Sequence, residues 1–194
     1  MKYFWLLLIS TGLFAQSGVY DGLNVGFDED SNTLTAVFDL SDYHANGTVD
    51  RCQLYVAASK NAGEKHFTAS IYNFDYQLLG HGSLTYFPDM NKYNFKLEKE
   101  VQQCNRIITG FVGAGIDFYQ KYAMDWKRMN LVKSPRAYFY SKPGAEFKTK
   151  SYITHGEWLG VLEHKSSWLK VDYITPNTKK FTRTWVKKQD LVAE

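Results

Sequence analysis

The chain has 194 residues, 44% of them hydrophobic and 22% charged, with a formal charge of +3. One or two globular domains fit that length at roughly 100–200 residues each, and the composition excludes a collagen-like, mucin-like or wholly disordered chain. Aromatic residues make 16% of the chain (14 Tyr, 13 Phe and 5 Trp) and prolines number only 4, a balance that favours strands over helices.

Residues 1–16 read as a secretory signal peptide. Lys2 supplies the positive start, and Phe4 to Phe14 is an uncharged apolar run. That run is too short for a helix crossing about 30 Å of hydrocarbon, and Ala15 is a small residue before a cut near Gln16. No other stretch is long and apolar enough to span a membrane, so the remaining chain is expected to be exported, to the periplasm or beyond. The only two cysteines, Cys52 and Cys104, agree with export. Both sit in strand-like contexts, and an even count in an oxidising compartment favours a disulfide.

Charge divides the rest of the chain. Residues 17–132 carry 10 Lys/Arg against 14 Asp/Glu, and residues 133–194 carry 12 against 6. The change falls at the turn-prone Lys133-Ser134-Pro135, which sets the expected domain boundary. In the first part, Leu23–Phe27 and Leu34–Leu40 flank the polar turn Asp28–Asn32 as two strands. Asn46-Gly47 is a type I′ hairpin signal leading into Cys52–Ala58. Further strands are expected at Phe67–Phe74, Leu78–Phe87, Tyr93–Leu97 and Arg106–Val112. Ala114–Trp126 fits a short helix through Ile116, Tyr119, Ala123 and Trp126, and fits a strand through Ile116, Phe118 and Gln120. The sum is a mainly β chain whose first part is an antiparallel sandwich or barrel with one disulfide.

The second part runs through Ala137–Ser141, Tyr152–Leu162, Ser167–Tyr173 and Thr184–Leu191, separated by polar turns. Trp158, Leu159, Val161, Trp168, Leu169, Val171, Trp185 and Val186 cluster within strand-length runs. In so small a unit, aromatics are expected to carry much of the core. Gly156-Glu157 before an apolar strand, Trp168 with Val171, and Trp185-Val186 with Leu191 follow the spaced pattern of a bacterial SH3-like (SH3b) domain, which this part resembles over about 60 residues. Ser167 and Thr184 stand where that pattern has glycine, so turns of a different shape are expected there. The resemblance implies a small SH3-like β-barrel with a groove beside the opening strand. Tyr140, Tyr152 and Trp168 would face a peptide or glycan in it, and Tyr138, Tyr140 and Tyr173, expected to alternate outward, are candidates for contact with a ligand.

Envelope proteins with such a module often carry a hydrolase beside it. Cys52 precedes a strand-like Gln53-Leu54-Tyr55 rather than opening a helix, as a cysteine nucleophile would. There is no His-Glu-x-x-His, no Gly-x-Ser-x-Gly and no phosphate-cradling glycine loop. His81-Gly82-Ser83 and His155-Gly156-Glu157 read as turns. Asp28, Asp30, Asn32 and Asp39 fall at EF-hand positions, but Thr33 stands where the sharp turn needs glycine. The sequence therefore points to no catalytic residue, metal or cofactor.

Lys179, Lys180, Arg183, Lys187 and Lys188 gather around the last strand. They fit either protection of an edge strand or an anionic partner. Nucleic acid is disfavoured for an exported chain. The expected function is non-enzymatic recognition of a cell-wall peptide or glycan through the SH3-like module. The alternatives are an inhibitor or immunity-type protein that binds a partner enzyme, and a hydrolase hidden in residues 17–132.

Overall fold

The computed structural model describes residues 16–175 and 180–192. Residues 1–15 of the expected signal peptide, and Lys179 of the expected basic patch, lie outside the described residues. Eight antiparallel strands run in chain order around a closed barrel: β1 (Gly18–Tyr20), β2 (Leu23–Asp28), β3 (Thr33–Tyr43), β4 (Val49–Ser59), β5 (His66–Tyr72), β6 (Leu78–Phe87), β7 (Lys92–Leu97) and β8 (Ile116–Ala123). Strict alternation sorts the two faces. Leu34, Ala36 and Phe38 of β3 and Cys52, Leu54 and Val56 of β4 point inward, all at most 1% exposed. Eight strands enclose just enough room for side chains to fill. Here Tyr20, Phe67, Tyr93, Phe95, Phe111 and Phe118 fill it with edge-on ring pairs such as Phe38–Phe111 at 5.5 Å.

The ends of the barrel are closed differently. At one, Lys60 Nζ sits 5.0 Å and 4.9 Å from the centroids of Phe27 and Phe67, and burial lowers its pKa. The segment from Val101 to Phe111 packs on the barrel core through Val101, Ile107, Ile108 and the buried Phe111. It was expected to contain a strand at Arg106–Val112, but it is a series of turns, with the amides of Ile107 and Ile108 both donating to the Cys104 carbonyl. Its apolar side chains plug a core rather than line a sheet. Cys104 therefore lies in a turn, not a strand, and its disulfide to Cys52 ties the plug to β4 across a Cα–Cα distance of 4.5 Å. Residues 116–123 form β8, not a helix, because closure requires a partner for β1, supplied by the Gly18–Ala123 register. The Asn46-Gly47 hairpin exists with a longer loop than a two-residue turn. Gly47 alone takes positive φ, and Asn46 Oδ1 accepts from the amide and hydroxyl of Thr48. His81 and Gly82 lie inside β6 rather than in a turn.

Six strands form the second sheet: β9 (Arg128–Leu131), β10 (Arg136–Tyr140), β11 (Lys148–Thr154), β12 (Trp158–Lys165), β13 (Trp168–Ile174) and β14 (Phe181–Lys187), in the order β11-β10-β14-β13-β12-β9. The break between the sheets falls between Ala123 and Arg128, upstream of the expected boundary at residue 133. Residues 128–131 pair with β12 instead of ending the first part. The core of this sheet is mostly aliphatic, with Ala137, Leu159, Leu169, Val171 and Val186 joined by Phe139, all at most 6% exposed. Trp158, Trp168 and Trp185, expected in this core, are only half-buried and lie outside it. Thr184 is in mid-strand, its hydroxyl donating to the Tyr140 carbonyl at 2.9 Å. The turn before Trp168 is made by Ser166 at φ +53° in place of glycine.

The two sheets share a third cluster around Trp126, Met129 and Leu131, with Val37 and Tyr55 on the outside of the barrel. Trp126 is fully buried, lies directly over Gly160, and donates through Nε1 to Asp172 Oδ2 at 3.0 Å. Any β-carbon at Gly160 would stand 2.4 Å from the indole, so only glycine lets the ring lie flat on β12. Asp172 also accepts two bonds from Arg183, at 2.8 and 3.0 Å. From the barrel side, Ser17 Oγ donates to the Trp126 carbonyl at 2.6 Å.

Candidate functional site

Two regions bring together side chains that the sequence singled out. The first is a cleft of about 440 Å³ between the barrel and the second sheet, lined by Asp39, Arg51, Asp75, His155, Glu157 and Tyr173 among others. Its polar groups mostly satisfy one another. Asp39 accepts from Gln53 Nε2 at 3.2 Å and from Trp158 Nε1 at 3.3 Å. Glu157 accepts from the Thr154 amide at 2.7 Å, the Thr154 hydroxyl at 2.9 Å and the Tyr173 hydroxyl at 2.5 Å. Burial, then the Glu157 carboxylate, push the Tyr173 phenol well above its ordinary pKa. His155 Nε2 stands 3.9 Å from Asp75 Oδ1 across the cleft. That exceeds the hydrogen-bond reach a base and its orienting group need. Of these hydrogen bonds, the one from Trp158 to Asp39 ties the second sheet to the barrel.

The second region is the outward face of the second sheet, built by alternation. In β10, Phe139 turns into the core, which sends its neighbours Tyr138 and Tyr140 outward. Tyr138 faces Tyr152 of β11 in register, ring centroids 5.6 Å apart. Tyr140 is flanked in register by Lys148 of β11 and Trp185 of β14, and Trp185 by Lys170 of β13. Trp168 faces Lys187 in register and packs edge-on against Tyr140 at 4.6 Å. Cations cover these rings: Lys148 Nζ lies 3.3 Å from the Tyr138 centroid, the Arg136 guanidinium 4.8 Å from Tyr152, and Lys187 Nζ 5.8 and 5.9 Å from Tyr140 and Trp168.

Of the expected ligand-contact residues, Tyr138, Tyr140, Tyr152 and Trp168 share this face, and Tyr173 is separated from them in the cleft. Tyr140 is only 4% exposed, so it supports the neighbouring rings more than it meets solvent, whereas Tyr152 is 43% exposed. Arg136, Lys148 and Trp185 were not among the expected site residues. The alternation Arg183, Trp185, Lys187 around buried Thr184 and Val186 is the signal that could have placed Trp185 here. The basic patch separates by role. Arg183 is held by Asp172, whose hydrogen bonds raise its pKa. Lys187 joins the aromatic face, and Lys180 and Lys188 are exposed. None of these guards an edge, because β14 lies between β10 and β13; the edge strands are β11 and β9.

Asp28–Asn32 is a hairpin turn in which Asp28 Oδ1 accepts from the Asp30 amide at 3.1 Å. Among the described residues, no three His, Cys, Asp or Glu side chains come together as metal ligands, and no helix is long and apolar enough to cross a membrane. Against known protein families, curated proteins and solved structures, the chain finds no match.

Proposed function

We propose that this is an exported, non-enzymatic binding protein that recognises a cell-envelope or extracellular component through its second sheet. The carrying observation is the outward face, where Tyr138, Tyr152, Trp168 and Trp185 stand partly exposed around the buried Tyr140 with cations set over or beside the rings. The main buried cluster of this sheet forms without these residues. The SH3-like resemblance of residues 133–194 supports the reading. Gly156 takes φ +81° in the turn before β12, and Val171, Val186 and Leu191 are buried in one core. The disulfide fits an oxidising compartment. In this reading the packed barrel is a rigid support, with Trp126 as its joint to the binding unit.

The test is co-sedimentation of the full chain with purified cell wall. A fragment beginning at Lys133 would lack β9 and Trp126, so the intact protein is the proper reagent. Retention that falls when Tyr152 and Trp168 are changed to alanine is the expected result. Absence of retention at low salt would overturn the reading.

A further inference from the structure

We infer that the outward face of the second sheet binds an acidic polysaccharide. The sugar rings lie on Tyr138, Tyr152, Trp168 and Trp185, and the acid groups of the polymer meet Arg136, Lys148 and Lys187. The inference rests on the proposed binding function and specifies its ligand.

Charge complementarity carries the argument. On this sheet Arg183 is paired with Asp172, and Lys170 lies 3.8 Å from Glu163. Arg136, Lys148 and Lys187 have no carboxylate within ion-pair distance among the described residues, and each is instead positioned over a ring of the face. A cation held on an aromatic face keeps its charge and has part of its hydration replaced by the ring, so it is preset for an anion arriving beside that ring. Aromatic rings supply the complementary apolar platform for the carbon–hydrogen faces of a pyranose. Cations flank paired rings along the face, Arg136–Tyr152–Tyr138–Lys148 at one end and Tyr140–Trp168–Lys187 at the other. That matches a polymer in which every sugar carries both an apolar face and an acid group. A simple polyanion would use the cations and leave the rings idle; a neutral glycan would do the reverse. The acidic first part of the chain does not occupy the site, because the barrel meets the second sheet through the cluster of Val37, Tyr55, Trp126, Met129, Leu131 and Trp158 instead.

Binding of the full chain is measured by calorimetry against polygalacturonate, the same polymer with its carboxyls methyl-esterified, a sulfated dextran and polyphosphate. Polygalacturonate should bind at low salt, weaken as salt rises, and lose at least about tenfold in affinity, or 1.4 kcal/mol, on esterification. The double variant Lys148→Gln/Lys187→Gln, both partly solvent-facing, should give a similar loss with an unchanged melting temperature. Trp168→Ala and Tyr152→Ala should weaken binding at every salt concentration. Preference for the sulfated dextran would identify sulfate as the acid group and still support the inference. Equal binding of esterified polymer, or polyphosphate binding that ignores Trp168 and Tyr152, would overturn it. Retention on cell wall without binding to any acidic glycan would overturn this inference alone; absence of both would overturn the binding function as well.

Discussion

Replacing Trp126 with alanine removes the bulkiest fully buried side chain of the described residues, at the point where barrel and second sheet meet. Truncating a buried tryptophan costs roughly 3–5 kcal/mol through lost transfer energy and the residual cavity. The lost hydrogen bond to Asp172 falls within that range, since Arg183 still holds both carboxylate oxygens. For a chain of this size the melting temperature shifts by about 2–4 °C per kcal/mol, so calorimetry on the full chain should show a fall of roughly 6–20 °C. Gly160→Ala attacks the same contact from the other side. Its methyl would stand 2.4 Å from the indole, and such overpacking costs about 1–3 kcal/mol. The two changes should not add. With Trp126 gone the methyl has room, so Gly160→Ala in the Trp126→Ala background should be close to neutral. Additive losses, or a Trp126→Ala protein that melts within about 2 °C of wild type, would refute Trp126 as the joint.

Three further outcomes follow from the packing. Replacing Cys52 and Cys104 with alanine should destabilise the protein by about 4 kcal/mol, as expected for releasing a loop of this length; a native protein with titratable thiols would contradict the disulfide. Burial holds the phenols of Tyr20, Tyr55 and Tyr93 protonated beyond the ordinary value of 10.0. The folded state therefore keeps protons that the unfolded chain releases, so stability is full below pH 10 and is lost as pH climbs above it. An ultraviolet titration should show a final phenolate step that coincides with loss of circular dichroism, and complete ionisation in a still-folded protein would be inconsistent with it. Finally, Arg183→Ala leaves the Asp172 carboxylate, only 3% exposed, with Trp126 Nε1 as its remaining donor among these contacts, and should cost roughly 1–3 kcal/mol. Lys188→Ala should change the melting temperature by less than the effect of Arg183→Ala, and equal losses would erase the distinction between the two cations.

Most barrel strands were legible because their inward and outward residues differ in polarity, and Leu78–Phe87 matches β6 to the residue. The misread segments share a physical cause: their apolar residues answer to something other than one sheet face. Ile107, Ile108 and Phe111 pack into the barrel core from a chain of turns. For β8 the sequence left helix and strand both open, because the outward Tyr119 fits a helical stripe while Ile116 and Phe118 alternate inward. Met129, Asn130, Leu131 and Val132 are all buried, Met129 and Leu131 in the cluster shared with the barrel and Val132 in the core of the second sheet, so this stretch shows no alternation. The aromatic face was half legible. Tyr140, Tyr152 and Trp168 share the face on which they were expected together, but Trp168 and Trp185 were also assigned to a core that mostly aliphatic residues fill. The cleft was not legible, because Asp39, Asp75 and Glu157 meet only after the two sheets dock.

The outward face can be tested directly by following the tryptophan indole N–H signals of the full, isotope-labelled chain during titration with solubilised cell-wall polymer. Trp168 and Trp185 lie on that face, Trp158 borders the cleft and Trp126 is sealed in the joint. The account predicts that the indole signals of Trp168 and Trp185 shift together while those of Trp126 and Trp158 stay in place. A shift of Trp158 with Trp168 and Trp185 unmoved would put the ligand in the cleft and contradict the account.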